Sequence, residues 1–169
     1  MFASILLLAL AATGISQEIP EGYRKVYITS MVNTKFAVVP KSRTAGSTTV
    51  VQTLNNTPEQ QWYIKDGNTK IQLVETNLCL DAGAQSNWRD MGTLSVNDCS
   101  DTAQSQNWFV MGDGRIALEP SNRSAGQCID LQYMRAVENN PVVLFGCAGL
   151  GNTGAADKGI NWPLLNATA

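Results

Sequence analysis

Histidine is absent from the 169-residue chain. Neither a Ser-His-Asp nor a Cys-His arrangement can be assembled within it, and the commonest nitrogen ligand of zinc is missing. Carboxylates and cysteines are left to carry any chemistry. Two aspartates share a context, Cys79-Leu80-Asp81 and Cys128-Ile129-Asp130. An ionised carboxylate only accepts hydrogen bonds, and its two oxygens suit the paired hydroxyl donors of a sugar. That chemistry is capture of a polyol. Cleavage of a glycoside needs two carboxylates about 5 to 10 Å apart, and these two belong to separate copies of a repeat, so no catalytic role is expected. The balance of 12 Lys and Arg against 14 Asp and Glu, without a basic cluster, argues against nucleic acid as a partner. No CxxC or comparable spacing supports a metal site, and no cofactor is implied.

Residues 1–16 contain no charged side chain and run apolar from Ile5 to Ala12, ahead of the small residues Gly14 and Ser16. A bilayer-spanning helix takes about 20 apolar residues, so this stretch is expected to be a secretory signal peptide, with no membrane insertion elsewhere. Secretion makes the four cysteines read as disulfides. Of the three possible pairings, Cys79 with Cys99 and Cys128 with Cys147 place each bond at the same point of the repeat. Three sequons, Asn55-Asn56-Thr57, Asn122-Arg123-Ser124 and Asn166-Ala167-Thr168, agree with a secreted glycoprotein.

The elements that must position these residues come in three copies. Gln60-Gln61-Trp62, Gln106-Asn107-Trp108 and Ile160-Asn161-Trp162 end them alike. After the first two Trp comes a turn, Asp66-Gly67 or Asp113-Gly114, then an alternating strand, Ile71-Gln72-Leu73 or Ile116-Ala117-Leu118, and then the Cys-x-Asp strand. A degenerate copy opens the series, with Ala37 at the cysteine position, Val39 at the aspartate position and Thr53 or Leu54 near the second cysteine. Short strands divided by Gly, Asn, Asp and Ser total about twelve. No copy can bury its own apolar face, so the three should close into one all-β, barrel-like domain. Trp62, Trp108 and Trp162 suit its shared core.

The QxW segments, the CxD strands and the paired cysteines resemble the ricin-B-type lectins, which are β-trefoils. The resemblance covers roughly Tyr23 to Leu165, and residues 22–166 are expected to form the lectin domain. It implies a secreted protein that binds glycans or glycoproteins, of galactose type or related, without catalysis; no feature fixes an oligomeric state. In that family a site joins the CxD aspartate to an aromatic residue two positions before the second cysteine and to an Asn just before the QxW glutamine. The second copy has Asp81, with Asn97 at the aromatic position and Ser105 at the Asn position. The third has Asp130 and Phe145, with Gly159 at the Asn position, and its loop adds Tyr133 and Asn140. The third is therefore the better candidate. Trp88, in the loop of the second copy, is a stacking platform for Asp81 on this reading; otherwise it packs over its own loop, and the two aspartates cap turns. Val39 leaves the first copy without this mechanism. Ile160 in place of Gln removes a local hydrogen bond. The alternative function is a β-trefoil proteinase inhibitor acting through loop 148–159.

Overall fold

The computed structural model describes residues 18–121 and 126–167. The expected signal peptide, the sequon at Asn122 and the last residue of the sequon at Asn166 lie outside them. The first lobe contains β1 (Arg24–Ile28), β2 (Phe36–Pro40), β3 (Thr49–Thr53) and β4 (Trp62–Ile64). The second contains β5 (Gly67–Thr69), β6 (Gln72–Leu73), β7 (Leu78–Asp81), β8 (Ser95–Asp98) and β9 (Trp108–Val110). The third contains β10 (Ile116–Leu118), β11 (Gln127–Leu131), β12 (Asn140–Gly146) and β13 (Leu164–Asn166). Helical structure among the described residues is confined to short 3-10 turns. The chain is a β-trefoil.

Among the described residues thirteen strands stand where about twelve were expected. The addition is β5, which pairs with β9 through Gly67↔Val110 and Thr69↔Trp108. One more residue separates Trp62 from Ile71 than Trp108 from Ile116, and the longer connection has enough chain to form its own ladder. The third lobe departs differently. Trp62 and Trp108 begin strands, whereas Trp162 is followed by Pro163, which has no N–H for a ladder; only the bridge Arg115↔Asn161 precedes it.

Trp62, Trp108 and Trp162 are each at most 1% exposed. Their indole N–H groups donate to Val38 O at 2.9 Å, Leu80 O at 3.0 Å and Ile129 O at 2.9 Å. Each acceptor immediately precedes Val39, Asp81 or Asp130, so one bond repeated three times ties the barrel core to the strand carrying the motif. Strand register completes the equivalence: Ala37 pairs with Gln52, Cys79 with Asn97 and Cys128 with Phe145. Leu54 thus occupies the place of the second cysteine. The disulfides Cys79–Cys99 and Cys128–Cys147 lie within their lobes, with Cα atoms 4.9 and 5.0 Å apart.

Candidate functional site

The same CxD strand delivers two aspartates to different surroundings. Asp81 is consumed internally: Oδ1 accepts from Gly83 N at 2.7 Å and Oδ2 from Gln106 Nε2 at 3.0 Å. Gln106 also bridges Asp98 O and Ser100 N, at either side of Cys99. Gln60 does the same around Leu54, through Thr53 O and Asn55 N. Asn97 donates to Ser95 Oγ at 3.2 Å. The second lobe is therefore built as a capped turn.

Trp88 is engaged by its own loop and the core. Its indole N–H donates to Gly83 O at 3.1 Å, and its ring packs on the main core. Loop 83–92 instead docks on the third lobe, where Met91 N donates to Leu144 O, Leu144 N donates to Gly92 O and Gly146 N donates to Asp90 Oδ1, each at 2.8 Å. The loop read as part of the second site is a wall of the third.

In the third lobe Ile160 replaces the glutamine and packs with Ala117, Cys128 and Cys147. No amide reaches the neighbouring carboxylate. Asp130 is only 8% exposed, yet its oxygens accept no hydrogen bond from any described residue. Burial, then the charges of Asp157 and Asp90, push its carboxyl up to about 7. It lines a pocket of about 380 Å³ together with Phe145, Tyr133, Met91, Met134 and Asp157. Three of these residues have left-handed backbone, with φ of 66° at Met91, 54° at Tyr133 and 51° at Met134. Side chains held in that region by the fold concentrate at binding sites, and Tyr133 stands 69% exposed at the rim.

Asn140 is not brought to the pocket. It sits at the start of β12, opposite Val51, and donates to Gln132 O at 2.9 Å. It pins the 133–140 loop from behind. Loop 148–159 folds back onto the lobe as three short turns around Asp157, whose oxygens accept from Leu150 N at 2.7 Å and Gly159 N at 2.8 Å. Asn161 adds bonds to Ala155 O and Asp157 O, and Arg115 reaches Cys147 O. Gly159 has a steric reason to be glycine: a Cβ there would stand 2.8 Å from Asp130 Oδ1 and 3.0 Å from Met134 Cγ. The sequence offered no signal for Asp157, which has no counterpart in the other copies, nor for Met91, which arrives from another lobe.

A three-lobed barrel whose third lobe opens a pocket around Asp130 defines the class, and the sequence places the chain within it. The profile of the ricin-type β-trefoil lectin domain matches residues 24–108 and 67–157. The chain belongs to this family. No curated protein matches it. Among solved structures it is similar to ThreeFoil, a designed threefold-symmetric protein, at 16% identity and a TM-score of 0.69, covering 84% of this chain and 98% of that one. It is similar to the β-trefoil lectin of the Vibrio vulnificus hemolysin/cytolysin bound to N-acetyl-D-lactosamine, at 14% identity and a TM-score of 0.60, covering 88% and 98%. It also matches a mosquitocidal holotoxin at 18% identity and a TM-score of 0.66, with 87% of this chain spanning 17% of that one.

Proposed function

We propose that the protein is a secreted lectin that takes galactose-type or related glycans into its third lobe and catalyses no reaction. The observation that carries the reading is Asp130, a nearly buried carboxylate that accepts no hydrogen bond from a described residue, in a pocket that also holds the Phe145 and Tyr133 rings. Its oxygens suit sugar hydroxyls, and the rings suit the CH face of a pyranose. The Vibrio lectin, which holds N-acetyl-D-lactosamine on the same fold, adds support. Two disulfides support an extracellular setting, and the exposed Asn55 sequon suits glycosylation. The second lobe, with Asp81 and Trp88 engaged internally, is weaker or redundant.

A glycan array on the secreted protein identifies the ligand, and variants then locate it. A charged hydrogen bond contributes about 1.5 to 3 kcal/mol, so Asp130→Ala should weaken retention by about tenfold or more while a folded thermal transition persists. Phe145→Ala should weaken it through lost stacking. Val39→Ala, in the first lobe, should retain the glycan as wild type does. Wild-type binding by both Asp130→Ala and Phe145→Ala would remove the site from this lobe.

A further inference from the structure

We propose that the third-lobe pocket prefers a cationic amino sugar, a saccharide bearing a free ammonium group, over neutral and N-acetylated sugars. The inference rests on the glycan-binding reading and adds the charge of the ligand.

Two carboxylates from different segments line the pocket, Asp130 from β11 and Asp157 from loop 148–159, and the charge of Asp90, in loop 83–92 outside the lining, also acts on Asp130. Asp130 and Asp157 press on the same face of Gly159, where a Cβ would stand 2.8 Å from one Oδ1 and 3.2 Å from the other. Among the described residues no lysine or arginine lines the pocket, and the charges acting on Asp130 are both acidic. Asp157 spends both oxygens on Leu150 N and Gly159 N, and Asp90 is held by Gly146 N. Backbone N–H groups thus hold both side chains in place. Of the two carboxylates lining the pocket, Asp130 is the one whose oxygens accept no hydrogen bond from a described residue, a single carboxylate where a metal ion would need several ligands. An ammonium group needs a single charged acceptor and brings three donors.

The walls favour the same ligand. Leu131, Leu150, Met91 and Met134 surround the carboxylate, and an ion pair is stronger in such a medium than in water. Phe145 and Tyr133 offer ring faces that attract cations. A neutral hydroxyl gains little from the neighbouring negative charges, whereas an ammonium group offsets both the burial and the repulsion that push the Asp130 carboxyl up to about 7. Its arrival would return the carboxyl to the ionised form, so binding near neutral pH should release a proton.

The test compares sugars that differ only in charge. Oligomers of β-1,4-linked glucosamine are set against their N-acetylated counterparts, and galactosamine against N-acetylgalactosamine, with galactose and lactose as neutral sugars. Titration calorimetry of the full protein at about pH 6, below the ordinary range of such amines, so that the ligand arrives already charged, reads affinity and proton release together in buffers of different ionisation enthalpy. The expected result is at least about tenfold tighter binding of the free amines, with proton release, and loss of the difference in Asp130→Asn. Equal or tighter binding of neutral or N-acetylated sugars overturns the cationic preference and leaves the lectin reading standing. No binding by any of these sugars or on a glycan array overturns both. A preference that survives Asp130→Asn, or one without proton release in the wild type, places the ammonium away from Asp130 and also overturns the inference.

Discussion

Asp81 and Asp130 share a motif and a strand position, and what separates them is the side chain near the end of each copy. Gln106 donates to Asp81, while Ile160 has nothing to donate to Asp130. The lapse in the third QxW segment thus leaves a carboxylate available to a ligand, at the expense of a local bond. Gln106→Leu should cost about 1 to 3 kcal/mol in urea denaturation, because it strands the buried Asp81 carboxylate and removes the bond to the Asp98 carbonyl. Asp130 itself acts on stability with the opposite sign from a paired carboxylate. Held near 7 in the fold, it keeps its proton where the unfolded chain, titrating near about 4, has released it. The folded state therefore binds more protons between these values, and the stability linked to this residue falls as pH rises through that window and levels above it. Asp130→Asn should flatten that slope. Its melting temperature should gain on wild type from about pH 4 to about pH 7, and a constant gap would contradict the burial of this charge.

Among the elements, loop 83–92 was the hardest to place from sequence. Its Trp88 and polar residues read as decoration of the second lobe, because sequence neighbours are the natural first partners. The deciding bonds are to Leu144 and Gly146 on β12, and no periodicity within the loop announces them. Gly92 shows how tightly the connection is made: a Cβ there would fall 2.1 Å from Asn87 O and 3.2 Å from Leu144 Cδ1. Asn87 in turn staples the loop through Ala82 O and Thr93 O. Gly92→Ala should cost about 1 to 3 kcal/mol. It should also displace Met91 from the pocket wall, so glycan retention should fall although the substitution lies in the second lobe. Retention at the wild-type level would mean that the loop does not shape the site. Loop 148–159 teaches the same lesson, since its fold depends on Asp157, which no repeat could flag.

Across the whole molecule the legible part was the part that repeats. Three tryptophans, two CxD strands and two cysteine pairs recur because each lobe solves the same problem of covering one face of a common core, and repetition survives in sequence even where Ala37 and Val39 have replaced the cysteine and aspartate. What breaks the symmetry, β5, Ile160 and the docking of loop 83–92, has no second copy to be compared with. The lobes are not independent units either. One sheet runs β13-β1-β4-β6-β7-β8 and the other β2-β3-β12-β11-β10-β9-β5, so each draws strands from all three copies. The chain ends are tied by Val26↔Asn166, and Trp62, Trp108 and Trp162 share a single core cluster. Trp108→Ala should therefore cost about 3 to 5 kcal/mol and lower the melting of the entire domain in one transition. Hydrogen exchange should accelerate in β2 and β12 as well as in β7 and β9, because the opening that exposes one lobe exposes the others. Two resolved transitions, or protection lost in the second lobe alone, would show that the copies fold as separate units despite the sheets they share.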